Sequence, residues 1–136
     1  MRILAIDHGQ ARLGIAISDP LQITAQPVAT LQNDENLIPN LKKIIDDYGS
    51  VTEIVVGLPK SLKGGLGPQA EKVQAFVAEL EKNFEIKVVT WDERLTTVAA
   101  ERDLISAGLS RKKRKKVIDK SAAAYILRNY LDSRKK

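Results

Sequence analysis

Four acidic residues occupy positions where a chain could place metal-binding or acid–base chemistry: Asp7, the adjacent pair Asp92 and Glu93, and Asp119. Asp7 ends the apolar run Ile3-Leu4-Ala5-Ile6, and Asp92 and Glu93 directly follow Val88-Val89-Thr90-Trp91. Asp119 opens a helical pattern with Ala122, Ala123 and Ile126 at i+3, i+4 and i+7, so it shares a face with small apolar residues suited to close packing on a sheet. A carboxylate on such a face is costly unless something neutralises it. Three carboxylates drawn together repel one another and raise each other's pKa unless a cation sits among them. Oxygen ligands in a chain without cysteine favour Mg²⁺ or Mn²⁺ over Zn²⁺. Two such ions about 3.5–4 Å apart can activate water and stabilise the leaving oxygen in phosphodiester hydrolysis. Taken singly, each acid has a plainer account: a turn residue at a strand end, or a helix-start acid favoured by the macrodipole.

The charge distribution adds a second pointer. Residues 1–110 hold 11 Lys+Arg and 15 Asp+Glu, a balance of −4, whereas residues 111–136 hold 11 and 2, a balance of +9. Six consecutive cations, Arg111-Lys112-Lys113-Arg114-Lys115-Lys116, carry most of that excess. Such a block faces water as a solvated surface loop or meets a polyanion such as nucleic acid.

The elements that must position these residues follow from hydrophobic period. Residues 2–7 read as a buried strand, and Leu13 to Ser18 as a second. Only residues 8–12 separate them, too few for a parallel crossover, so an antiparallel hairpin is expected. A weaker strand lies near Gln26–Leu31. Leu37, Leu41, Ile44 and Ile45 recur at helical spacing, with Asn33 or Asp34 as cap and Pro39 confined to the first turn. Glu53–Gly57 reads as a strand, Val73–Leu80 as a helix behind Pro68, and Ile86–Trp91 as another strand. Helices over about 96–107 and, after the basic run, over about 117–131 complete the chain. The order implies a mixed sheet, a hairpin followed by parallel strands, with helices on both faces. One domain over 1–136 is expected, with a basic segment at 111–116 and a short basic C-terminal tail.

No run approaches a membrane span, and an acid at position 7 interrupts any signal-peptide core, so a cytoplasmic protein without membrane association is expected. Without cysteine there are no disulfides, thiolate metal sites or cysteine nucleophiles.

The motifs, taken in order, carry a resemblance. Asp7-His8-Gly9-Gln10-Ala11-Arg12-Leu13-Gly14 fits Asp-x-Gly-x-x-Arg-aliphatic-Gly. Val56-Gly57-Leu58-Pro59, the Gly64–Pro68 loop, Asp92-Glu93-Arg94-Leu95-Thr96-Thr97 and Asp119-x-x-Ala-Ala follow. The chain resembles the YqgF or RuvX family, Holliday-junction-resolvase-like proteins regarded as pre-16S rRNA nucleases, from Arg2 to about Leu131. Each motif is weak alone, and their ordered set is specific. The resemblance implies an α/β, ribonuclease-H-like fold with a five-stranded mixed sheet and a divalent-metal site. It implies Asp7, Glu93 and Asp119 as catalytic and metal-binding residues, choosing Glu93 over Asp92 where spacing does not. The activity implied is metal-dependent hydrolysis of structured nucleic acid, in 5′ processing of pre-16S rRNA during ribosome biogenesis. The alternatives are a Holliday-junction DNA resolvase and a non-catalytic nucleic-acid-binding factor in transcription or ribosome maturation. The loop Leu58–Lys63 is more basic here than in many members.

Arg12, in the hairpin, and Arg94, after Glu93, either hold phosphate and transition-state charge or pair with the acids. Lys60, Lys63, Arg111, Lys112, Lys113 and Arg114 are candidate phosphate contacts. His8 stands beside Asp7 either as a hydrogen-bonded structural residue or as a base. Trp91 is expected in the core, and aromatics at 4% are too few for a base-stacking platform. Gly65–Ala70 imitates a dinucleotide fingerprint but begins too far beyond its strand. Asp7-x-Gly also opens the phosphate loop of actin-like ATPases, which need two lobes. A receiver-type phosphoaspartate domain requires a helix after its first strand, where this chain has a hairpin. The partner is nucleic acid, RNA or branched DNA, and the protein a monomer or homodimer.

Overall fold

The computed structural model describes residues 1–9, 11–58, 68–92 and 111–134, with backbone alone for 68, 69, 92 and 111–121. Strands β1 (Arg2–His8), β2 (Arg12–Ser18) and β3 (Ala25–Gln32) precede helix α1 (Leu37–Tyr48). Strand β4 (Val51–Leu58), helix α2 (Pro68–Asn83), strand β5 (Lys87–Asp92) and helix α3 (Arg111–Ser133) follow. The five strands form one sheet in the order β3-β2-β1-β4-β5. β1 pairs antiparallel with β2 and parallel with β4, β2 pairs antiparallel with β3, and β4 pairs parallel with β5. The opening hairpin and the parallel crossovers expected from loop length are both present. The expected helix at 96–107 lies outside the described residues.

The strand sequences match their places. β1 and β4 are central and covered on both faces, so Ile3–Ile6 and Ile54–Val56 are uninterrupted apolar runs, all fully buried. β3 is an edge strand and mixes half-buried and exposed residues, none of them fully buried. Successive side chains of each strand go to opposite faces. Leu4, Ile6, Ile15, Ile54 and Val56 form one core with Leu41 and Ile45 of α1 and Val73, Phe76 and Leu80 of α2. Ile3, Ala5, Ala16 and Val55 form the other with Ala123, Ile126, Leu127 and Leu131 of α3. Alanines on both sides of this second core let α3 lie close to the strands. Burying Ile126 and Leu127 there contributes about 1.5–3 kcal/mol each.

Two local expectations are corrected. The cap of α1 is Asn36, whose side chain makes no capping bond. Asp34 instead accepts from the Asn36 N–H through its carboxylate (2.9 Å) and from the Leu37 N–H through its carbonyl (3.1 Å). Asn33 turns away to the hairpin, its N–H donating to Ala11 O (2.9 Å) and its Nδ2 to Gly9 O (3.0 Å). Pro39, third in α1, stays within the first turn, where its missing N–H costs nothing.

The second correction is larger. α3 begins at Arg111, so the basic run is the first turn and a half of a helix, rather than a loop preceding one. Lys and Arg are good helix formers, and a helix anchored through Ala123–Leu131 propagates at little cost per residue. The opposing factor is the macrodipole, since the first turn holds no acid and the cations sit at its positive end.

Candidate nuclease site

Asp7 is the sixth residue of β1 and shares its face with Ile3 and Ala5, the face that α3 covers. Its cross-strand neighbour on β2 is Gly14. On β4 the ladder pairs Ile6 with Val56, which brings Gly57 next in line beside Asp7. Its immediate neighbours on both adjacent strands are therefore glycines, which carry no side chain. The sequence places one glycine in each motif.

The hairpin that ends β1 is tightly closed. The Gly9 N–H donates to Arg12 O at 3.0 Å. A Cβ on Gly9 would stand 2.4 Å from that same oxygen, so the turn requires glycine. Asn33 bonds both Gly9 and Ala11 and clamps the tip to the end of β3. Arg12 is exposed. Alternation from Leu13, which packs with α1 and α2, gives Arg12 the same side as Asp7.

Asp92 and helix position 119 approach this end of the sheet from other elements. β5 pairs Trp91 with Gly57 and Asp92 with Leu58, so it ends level with the end of β4, two strands from Asp7. Helix α3 runs against the strands. Tyr130 Oη donates to Glu53 Oε1 at 2.5 Å and Arg134 Nη1 to Glu53 Oε2 at 3.1 Å. Glu53 pairs with Ile3 near the start of β1, so the C-terminal end of α3 lies at the start of the parallel strands. Its N-terminal half points toward their C-terminal ends, where Asp7 lies. Helix position 119 precedes the packed residues Ala123 and Ile126 by four and seven residues, on the same face.

The fold thus brings Asp7, the end of β5 and helix position 119 to one end of the sheet. Glu93, Arg94, Lys60 and Lys63 lie outside the described residues, as do the side chains of Asp119 and of Arg111, Lys112, Lys113 and Arg114. Among the described residues no three acids or histidines converge as a metal site.

His8 is not part of this arrangement. It faces α2, its ring 4.8 Å from that of Phe76, and its buried Nδ1 has no hydrogen-bond partner. Burial chiefly, and the charge of Lys72 to a smaller degree, hold its pKa below the usual histidine value. It is a structural residue packed on α2, on the face opposite Asp7, and it is no base for chemistry beside Asp7. Trp91 packs as expected, edge-on to Tyr130 at 5.5 Å.

One cluster escaped the sequence reading. Glu53 is only 7% exposed and lies in an otherwise apolar core strand, held by Tyr130 and Arg134 with Lys87 Nζ at 3.9 Å. Burial, and then the bond to and charge of Glu53, push the Tyr130 hydroxyl up to about 12. The available signal was an acid within Val51–Leu58, where a buried charge demands a partner.

A family profile described as "RuvX: Holliday junction resolvase" matches residues 1–133. A Geobacillus kaustophilus protein named "Putative pre-16S rRNA nuclease" is 52% identical over 99% of this chain and 100% of its own. A Clostridium botulinum (strain Hall) protein of the same name is 52% identical over 98% of both chains. Among solved structures, Thermus thermophilus RuvC with Holliday-junction substrate is similar, with a TM-score of 0.57, 13% identity and coverage of 98% and 96%. Fowlpox virus resolvase with junction DNA gives a TM-score of 0.56 and 16% identity over the whole of both chains. The sheet order and the helices on both faces are those of the ribonuclease-H-like fold. A profile matched from end to end, relatives at half identity over full length and a shared fold together place the chain in the RuvX family of resolvase-like nucleases.

Proposed function

We propose that this protein is a divalent-metal-dependent endonuclease that trims the 5′ end of pre-16S rRNA in the cytoplasm, acting as one domain over residues 1–136. The observation that carries the substrate is the 52% identity, over the full length, to relatives named for that reaction. Asp7, Glu93 and Asp119 are the proposed metal-holding and catalytic residues. Asp7 fits the role because it stands near the end of a central strand on the helix-covered face, with a glycine beside it on each neighbouring strand. The donor set is all oxygen, which suits Mg²⁺ or Mn²⁺. One or two such ions, when bound, supply Lewis acidity toward water and the phosphodiester.

The chain's own residues do the rest. Arg12, exposed beside Asp7, and Arg94 hold the non-bridging oxygens on which charge builds during attack. Lys60, Lys63 and the cations Arg111, Lys112, Lys113 and Arg114 grip the backbone of the nucleic acid, whose contacts position without reading sequence. Water adds to phosphorus, the P–O bond breaks, and the products are a phosphate monoester and a free hydroxyl.

The second reading, a resolvase acting on a four-way DNA junction, follows from the family description. The decisive experiment sets a precursor 16S rRNA fragment beside a four-way DNA junction, each with Mg²⁺ or Mn²⁺, with Asp7→Asn as control. Metal-dependent cutting of the RNA, lost in the variant, is expected. Cutting of the junction instead would move the reading to a resolvase, and binding without cutting would leave a non-catalytic factor.

A further inference from the structure

The acids of the proposed site come from elements that nothing covalent holds in register. Asp7 belongs to the sheet and Asp119 to a helix lying on it, and the packed residues nearest them are small, Ala5 and Ala16 on the sheet and Ala123 on the helix, whereas Ile126, Leu127 and Leu131 pack further toward the other end of α3. Small residues permit close approach, but they interlock poorly and define the axial position of a helix weakly. The opposite end of α3 carries the polar cluster described above. Glu53 projects from β4 at the level of Ile3, and receives Tyr130 and Arg134 from α3.

The spacing of this cluster matches the spacing of the acids. Tyr130 follows Asp119 by 11 residues, about three full turns at about 3.6 residues per turn, so the two positions lie on the same face of α3. That separation is about 16 Å at about 1.5 Å per residue. On the sheet, Asp7 stands four residues beyond Ile3, about 13 Å at about 3.3 Å per residue. Helical side chains lean toward the N-terminus, and the Tyr130 ring leaning that way takes up the remaining few ångströms. We infer that the Glu53–Tyr130–Arg134 cluster is a latch that sets the axial register of α3 and so holds Asp119 at the level of Asp7. Glu53 and Tyr130 are positioning residues for the nuclease reaction, acting from the far end of the sheet.

Directional bonds to a buried carboxylate suit this task. Glu53 left without its donors is a buried charge, which is strongly unfavourable, so the arrangement of α3 that keeps both bonds is preferred. The edge-on contact between Trp91 and Tyr130 holds the ring in place on the β5 side. The tyrosine can therefore lose its hydroxyl without losing its packing, which separates register from stability.

This inference rests on the proposed metal site, and the test distinguishes the two. Stabilisation by Mn²⁺ alone is measured as a shift in melting temperature across a titration, for the wild type, Tyr130→Phe, Glu53→Gln and Asp7→Asn. Cleavage kinetics on the substrate that the wild type cuts are measured in parallel. Tyr130→Phe should remain folded with a cooperative melt, require at least 10-fold more Mn²⁺ for half its shift, and lose at least 10-fold in kcat with little change in KM. Glu53→Gln, which still accepts from the tyrosine hydroxyl, should keep most of the wild-type Mn²⁺ response and kcat. A Tyr130→Phe protein with wild-type Mn²⁺ response and kcat, whatever its melting temperature, would overturn the latch and leave the metal site standing. A wild type that responds to Mn²⁺ no differently from Asp7→Asn would overturn the metal site, and the latch with it.

Discussion

Asp7 and His8 are consecutive in β1 and lie on opposite faces of the sheet. Asp7 lies on the side of Ala123 and Ile126, while His8 stacks on Phe76 of α2 with its Nδ1 buried and unpartnered. The pleat alone puts the acid on the α3 side of the sheet and the imidazole against α2. The separation assigns different consequences to substitutions one residue apart.

The first consequence concerns pH. Burial lowers the His8 pKa below its ordinary 6.5, so the unfolded chain binds a proton more readily than the folded one. The stability present above about pH 6.5 should therefore fall as pH drops from there through the lowered folded value. His8→Phe should remove that dependence while keeping the contact with Phe76. Melting temperatures of both proteins from pH 7.5 to pH 5, without metal, check the slope. A parallel decline in the variant would show that other groups carry it.

Asp7 should show the opposite sign with and without metal. If Asp7 converges with the other acids, replacing it with Asn removes repulsion and raises the melting temperature of the metal-free protein, by up to about 1–2 kcal/mol of stability. In Mn²⁺ the order should reverse, since the wild type alone gains a ligand's stabilisation. Melts of both proteins with and without Mn²⁺ measure the crossing. A variant less stable in both conditions would mean that Asp7 serves the fold first.

The basic start of α3 makes a salt prediction. Replacing Lys112 and Lys113 with Gln keeps helix propensity and removes two cations from the run. For duplex substrate the slope of log affinity against log salt should become shallower by about 1.8, and for single strands by about 1.4. Binding titrations between 50 and 200 mM salt give the slopes. An unchanged slope would take the run out of the interface.

The hairpin tip gives the last. Gly9→Ala puts a Cβ against the Arg12 carbonyl, a backbone atom that cannot move aside. A loss of about 1–3 kcal/mol is expected. Thermal or urea unfolding measures it, and the loss should exceed that for Ala11→Gly, on the exposed side of the same turn.

Much of this was legible in the sequence. The run Ile3–Ile6, the five residues between Asp7 and Leu13 and the β-branched residues of β4 dictated a hairpin followed by parallel pairing, because period and loop length are local properties. Residue type and order likewise drew attention to Asp7, the adjacent pair Asp92 and Glu93, and Asp119, since acids after apolar strands and on an alanine-rich helix face are rare without a partner, whereas the preference for Glu93 over Asp92 came only from the family resemblance. The start of α3 was not legible, because six adjacent cations at a helix N-terminus are locally unfavourable and only the anchored segment beyond them sustains the helix. Nor was the role of Asn33, which resembles a cap in sequence and bonds Gly9 and Ala11 across the hairpin in space. Which face His8 takes, and that Glu53 meets Tyr130 some 77 residues away, were decided by tertiary structure alone. A side chain's chemistry is written in its identity, but its partner depends on how the helices settle on the sheet, and that is a property of the whole packed core.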